Sequence, residues 1–141
     1  MKITDLKPTI VWKFFHQVTQ VPRPSKKEGK MIEFLESFAK EYKIAIKKDE
    51  AGNLLMSKPA TPGMEDRPVV VLQSHMDMVC EKNNGTKHDF DNDPIETIVD
   101  GEWLRANGTT LGADNGIGVA AELALLASDD IQHGPIECLF T

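Results

Sequence analysis

Residues 68–77 read PVVVLQSHMD, an apolar run that ends in a histidine and an aspartate. Its bulky β-branched residues, without polar alternation, predict a β-strand that is covered on both faces and therefore central in a sheet. Polar residues at the carboxyl end of such a strand lie where open α/β sheets bind their ligands. His75 and Asp77 are therefore the first candidates for a functional site.

The segments on either side of this run alternate between helix and strand. Apolar residues spaced three and four apart predict a helix over residues 8–21. Ser25-Lys26-Lys27-Glu28 has the form of a capping box and predicts a second helix that reaches Lys43. This alternation predicts an α/β domain with a mostly parallel or mixed central sheet. A third helix is predicted over residues 116–127, and further strands at 44–49, 53–57, 95–99, 103–106 and 136–140.

Composition narrows the class of protein. The chain has 141 residues, of which 40% are hydrophobic and 27% are charged, as in one globular domain. Its net charge of −6 disfavours nucleic acid as a partner, because binding to phosphates needs a basic face. No stretch approaches the roughly 20 apolar residues of a membrane span, and no signal peptide is evident. We therefore expect a cytoplasmic protein with neither nucleic-acid nor membrane partners, and with free thiols at Cys80 and Cys138.

His75 and Asp77 have the spacing of side chains that act together. Residues two apart in a strand point to the same side of the sheet, so these two should project together. A metal-bound histidine needs an acceptor for its second ring nitrogen, and this acceptor is often a carboxylate. The pair therefore suits a metal ligand and the residue that orients it. An ordinary histidine–aspartate ion pair would explain the same spacing.

A glycine-rich segment, GTTLGADNGIG over residues 108–118, precedes the third predicted helix. Its glycines permit tight turns and close approach of a ligand. The segment has no lysine of a phosphate-binding loop, and Asp114 at its centre would repel a phosphate but attract a cation. These residues alone leave two interpretations of Asp114 equally open, a cation ligand and the N-cap of the following helix.

Several longer motifs occur together in one order: PVVVLQSHMDMV, KNNGTKHDFDNDPI, DGEW, GTTLGADNGIG and HGPIE. Together they resemble the aminoacyl-histidine dipeptidases (Xaa-His dipeptidases) of the aminoacylase and carboxypeptidase clan of two-zinc peptidases. VPRPSKKE is similar too, although many of these proteins have histidine in place of Arg23, a difference to which we give little weight. The resemblance covers essentially all of the chain. It implies part of a three-layer α/β/α catalytic domain with a central mixed sheet, truncated at its C-terminal side.

The resemblance also implies a role for each candidate residue. His75 would bind one zinc ion, Asp77 would orient His75 for catalysis, and Asp114 would bridge two zinc ions. The peptide bond between Asp114 and Asn115 would be cis, with glycines leaving room for it. Cobalt or manganese often replaces zinc at such sites. The residues that would shape the site without binding metal are Gly112, Asn115 and Gly116.

In that family, the strand that matches residues 136–140 is followed by a glutamate that acts as general base and by further zinc ligands. The resemblance therefore predicts that residues 1–141 are the N-terminal part of the catalytic domain, inactive alone, of an enzyme that hydrolyses dipeptides, preferentially Xaa-His. The alternatives are a related metallo-carboxypeptidase, an N-acyl amino acid deacylase, or a truncated binding protein without activity. An unpaired sheet edge would favour aggregation or a non-native dimer, so a homodimer stays a candidate assembly.

Overall fold

A computed structural model describes all 141 residues, from Met1 to Thr141. A short 3-10 helix, Ile3–Asp5, precedes the other elements. The helices are α1 (Thr9–Thr19), α2 (Gly29–Glu41) and α3 (Ala113–Ala127). The strands are β1 (Ala45–Lys48), β2 (Leu54–Lys58), β3 (Val70–Ser74), β4 (Thr97–Asp100), β5 (Trp103–Ala106) and β6 (Ile136–Phe140).

Four strands form a mixed sheet in the order β1-β2-β6-β3. The β3–β6 pair is parallel, with Leu72 opposite Cys138, and the other two pairs are antiparallel. β4 and β5 form a separate antiparallel hairpin around Gly101, whose φ of 59° suits a glycine. The predicted α/β class with a mixed sheet is confirmed.

The position of β3 differs from the prediction. β3 pairs only with β6 and therefore lies at the edge of the sheet. Val70 and Val71 are 52% and 57% exposed, so the prediction of a central strand covered on both faces is wrong for this chain. The physical reason is that no strand within residues 1–141 pairs with the second edge of β3.

The core lies on one face of the sheet. Leu54 and Phe140 are directly paired, as are Met56 and Cys138, and all four side chains are buried. All three helices contribute to the same core, for example through Phe14, Leu35 and Leu123. Of the three layers implied by the resemblance, this chain contains the sheet and one layer of helices. None of the helices has the length and apolar character needed to cross a membrane.

The start of α2 is another correction. The residue before the helix is Glu28, and no side chain caps it, so the capping box predicted at Ser25 is wrong. Instead, the Ser25 hydroxyl donates a hydrogen bond to the carboxylate of Asp77. The backbone explains this, because Met78 N donates to Arg23 O at 3.0 Å and Pro24 forms a parallel bridge with Met78. Ser25 is thereby held beside the loop that follows β3.

The exposed edge of β3 leads to a testable prediction about assembly. We expect residues 1–141 to self-associate at micromolar concentration, and Val71→Lys to shift the population toward monomer, because a lysine on an edge strand opposes strand pairing. Sedimentation velocity measures this shift. Val79→Lys is the matched control, since Val79 is 68% exposed and lies outside the sheet. A wild-type chain that sediments as a monomer would contradict the prediction.

Candidate metal centre

His75 is the first residue after β3, and carboxylates face both of its ring nitrogens. Nδ1 lies 2.8 Å from Oδ1 of Asp77, and Nε2 lies 3.0 Å from Oδ1 of Asp114. An ionised carboxylate only accepts hydrogen bonds, so protonation of His75 would let both ring nitrogens donate. Burial lowers the pKa of His75, but the hydrogen bonds to Asp114 and Asp77 outweigh it and raise the pKa above its usual value. The two carboxylates therefore favour a positive charge at the His75 ring.

Asp77 is held in place from two sides. The Ser25 hydroxyl donates to Oδ2, and His75 donates to Oδ1. The hydrogen bond from Ser25 and then the contact with His75 hold the pKa of Asp77 below its usual value, although burial opposes this. An ionised Asp77 keeps the proton of His75 on Nδ1 and directs Nε2 outward. Sequence reasoning missed Ser25, because the capping-box pattern assigned its hydroxyl to the helix.

Asp114 lies at the start of α3, where the backbone departs from helical geometry at Asp114 and Asn115. The peptide bond between them is cis, as the resemblance implies. Gly112 is the N-cap of α3 and no side chain caps it, so Asp114 is not seen in the cap role that the sequence left open. Its side chain is 96% exposed, which leaves its second oxygen free to bind another group.

Three glycines of this segment leave space for other side chains. A Cβ atom at Gly112 or Gly116 would lie 2.6 Å from Nη2 of Arg23. A Cβ atom at Gly118 would lie 2.1 Å from Oδ1 of Asn115. Gly112 also has a φ of 74°, a backbone conformation that residues other than glycine rarely adopt. The absence of side chains at these glycines thus leaves room for Arg23 and Asn115.

Arg23, whose replacement of histidine was not expected to matter, is buried at this site. It is 1% exposed, and its guanidinium donates to the carbonyl oxygens of Met76, Asp77 and Gly112. Burial lowers the pKa of Arg23 to about 10, and the nearby Asp77 opposes this decrease. An arginine between two prolines carries no local pattern that would have revealed this role.

The spacing of the donor atoms of His75 and Asp114 fits two ligands of one zinc ion. Zinc binds histidine nitrogen and carboxylate oxygen at about 2.0–2.2 Å, so two ligands of one tetrahedral ion lie roughly 3.3 Å apart. The 3.0 Å between Nε2 of His75 and Oδ1 of Asp114 is close to this separation. No group of three or more histidine, cysteine, aspartate or glutamate side chains is assembled for a metal in this chain. The chain therefore brings together two candidate ligands, fewer than the three that catalytic zinc usually has.

Comparison with known proteins extends over the whole chain. No family model matches it. It is 49% identical over 140 residues to the cytosol non-specific dipeptidase of Escherichia coli strain K12, an alignment that covers 99% of this chain and 29% of that protein. A dinuclear metal-binding peptidase of Bacillus subtilis shares the fold at 15% identity, with a TM-score of 0.54 over 92% of this chain and 34% of its own.

The aminoacylhistidine dipeptidase of Vibrio alginolyticus superposes with a TM-score of 0.98 at 50% identity, over 100% of this chain and 29% of that structure. The chain thus spans less than a third of the length of both dipeptidases that it matches. Over that span, the resemblance to aminoacylhistidine dipeptidases indicated by the sequence motifs is confirmed in both sequence and fold.

Proposed function

We propose that residues 1–141 supply part of a two-zinc centre that hydrolyses dipeptides, preferentially Xaa-His, in the cytoplasm. The observation that carries this proposal is the convergence of His75 Nε2 and Asp114 Oδ1, with Asp77 holding the other ring nitrogen. The similarity to dipeptidases at 49% and 50% identity supports the same class of reaction. A dipeptide is the proposed substrate.

Each residue has a defined part in this proposal. His75 would hold one ion through Nε2 while Asp77 keeps the proton on Nδ1. Asp114 has one oxygen toward His75 and a side chain that is otherwise exposed, which suits a carboxylate that bridges two ions. When bound, zinc polarises the scissile carbonyl and lowers the pKa of water. Because this chain presents only two ligands, we expect residues 1–141 alone to hydrolyse no substrate at a useful rate.

Calorimetric titration of zinc into the full-length gene product tests the metal centre. We expect Asp114→Ala to weaken zinc binding at least about tenfold, since even the partners of metal ligands contribute that much. The matched control is Asp130→Ala, an exposed aspartate beyond α3, which should bind zinc like the wild type. Equal zinc affinity in wild type and Asp114→Ala would refute the assignment of Asp114 as a ligand.

Substrate preference needs a separate measurement, because one of the two similar proteins is named a non-specific dipeptidase and the other an aminoacylhistidine dipeptidase. We expect kcat/KM to be highest for dipeptides with C-terminal histidine among a panel that includes other dipeptides, longer peptides and N-acyl amino acids. Faster cleavage of N-acyl amino acids or of longer peptides would favour a deacylase or a carboxypeptidase instead.

A further inference from the structure

We infer that Arg23 is a positioning residue of the metal centre, which sets the separation between His75 and Asp114. This inference rests on the proposed function. His75 and Asp114 come from different segments, one after β3 and the other at the start of α3. Arg23 belongs to neither segment, and its guanidinium contacts both of them.

The geometry of the guanidinium makes it a cross-link between the two segments. Nη1 donates to the carbonyl oxygens of Met76 and Asp77 at 3.3 and 3.2 Å, beside His75 in the sequence. Nη2 donates to the carbonyl oxygen of Gly112 at 2.7 Å, two residues before Asp114. The nitrogens of a guanidinium lie in one rigid plane, so these bonds restrain both segments at once.

The backbone of Arg23 attaches it firmly to one of these segments. Its carbonyl oxygen accepts a hydrogen bond from Met78 N at 3.0 Å, and Ser25 donates to the carboxylate of Asp77. The loop after β3 is therefore already tied to residues 23–25 without the guanidinium. The bond from Nη2 to Gly112 joins this assembly to the segment of Asp114 two residues before that ligand. Hydrogen bonds of Thr110 with Val79 and Glu81 also join the two segments, but further from Asp114 in the sequence.

Burial argues that this contact does more than fill space. Arg23 is 1% exposed, all its recorded hydrogen bonds go to backbone carbonyls, and its Nε has no partner. Burying a charge is costly, and an apolar side chain of similar length would fill the same volume without that cost. The segment of Asp114 also leaves room for the guanidinium at Gly112 and Gly116, where a Cβ atom would lie 2.6 Å from Nη2. The fork of an arginine can bond to both segments at once, which an apolar side chain cannot do.

The primary test compares wild type, Arg23→Lys and Arg23→Met in the full-length gene product with Co²⁺ as the probe. Lysine keeps the charge but lacks the fork. We expect both variants to bind Co²⁺ at least about tenfold more weakly, with altered visible absorption bands of the bound metal and a lower kcat at similar KM. Variants that melt earlier yet keep the wild-type Co²⁺ affinity and spectrum would show a merely structural arginine and overturn the inference.

A second variant keeps the inference testable if Arg23 variants do not fold. Gly116→Ala should displace Nη2 without replacing Arg23 itself. Gly29→Ala is the matched control, because no atom lies within 4 Å of its Cβ position. We expect Gly116→Ala, and not Gly29→Ala, to weaken Co²⁺ binding. If Arg23→Lys folds, its effect and that of Gly116→Ala should be less than additive. Wild-type affinity in Gly116→Ala, or full additivity, would overturn the inference.

The outcomes separate this inference from the proposed function. Metal binding and hydrolysis that do not respond to Arg23 or Gly116 would refute only the positioning role. A wild-type protein that binds neither zinc nor Co²⁺ would refute the metal centre itself, and the role of Arg23 with it.

Discussion

Replacing His75 with alanine in the full-length gene product is expected to reduce dipeptide hydrolysis by more than about a hundredfold. Loss of an outer partner of a metal ligand costs about 10–100-fold, and loss of the ligand itself should cost more. Asp77→Asn should therefore give the smaller, intermediate decrease, because asparagine can still accept a hydrogen bond from Nδ1 but carries no charge. Measurements of kcat/KM at saturating zinc give this order.

The matched control is His16→Ala, which removes a half-buried histidine from α1. Its kcat/KM should stay close to that of the wild type. Two results would contradict the expected order. One is an Asp77→Asn variant less active than His75→Ala, and the other is a His75→Ala variant with wild-type activity at saturating zinc.

Replacing Glu122 with glutamine is expected to stabilise the protein above neutral pH. Glu122 lies in α3, is 4% exposed, and its Oε2 has no hydrogen-bond partner. Burial raises the pKa of Glu122 to about 7 from 4.5, and the nearby Ser74 hydroxyl offsets part of this increase. Because the folded state holds this proton more tightly than the unfolded state, Glu122 lowers the free energy of unfolding as the pH rises from about 4.5 to 7.

The size of this effect follows from the shift in pKa. At ~1.4 kcal/mol per pKa unit, the increase from 4.5 to about 7 corresponds to at most about 3 kcal/mol above pH 7. Urea unfolding at several pH values should show Glu122→Gln more stable than wild type at pH 8 and equal to it near pH 4. Glu102→Gln, at an exposed position, should change neither value. Equal stability of Glu122→Gln and wild type at pH 8 would contradict the prediction.

Glu122 and the proposed metal centre lie at different places on the same helix. Asp114 is at the exposed start of α3, whereas Glu122 lies further along the helix and is buried. Burial also raises the pKa of the Cys138 thiol to about 12, and Glu122 adds to this increase. A change at Glu122 should therefore alter stability at high pH while zinc affinity stays close to that of the wild type.

Features that depend on near neighbours in the sequence were predictable. The pairing of His75 with Asp77 follows from a spacing of two residues, and the hairpin of β4 and β5 follows from a turn around Gly101. The mixed α/β class follows from the alternation of apolar strands and amphipathic helices. In the first two cases the interacting groups are close together in the chain, so local geometry already brings them into contact.

Features that depend on distant segments were not predictable. β3 lies at the edge of the sheet because it pairs with β6 and with no other strand of this chain. Arg23 bonds to Gly112, which is 89 positions away. Ser25 shows why a local pattern failed: an N-cap contributes about 1 kcal/mol, whereas a hydrogen bond to a charged group contributes about 1.5–3 kcal/mol. Once folding brings Asp77 within reach of Ser25, the stronger of the two hydrogen bonds forms, and α2 begins at Gly29 instead.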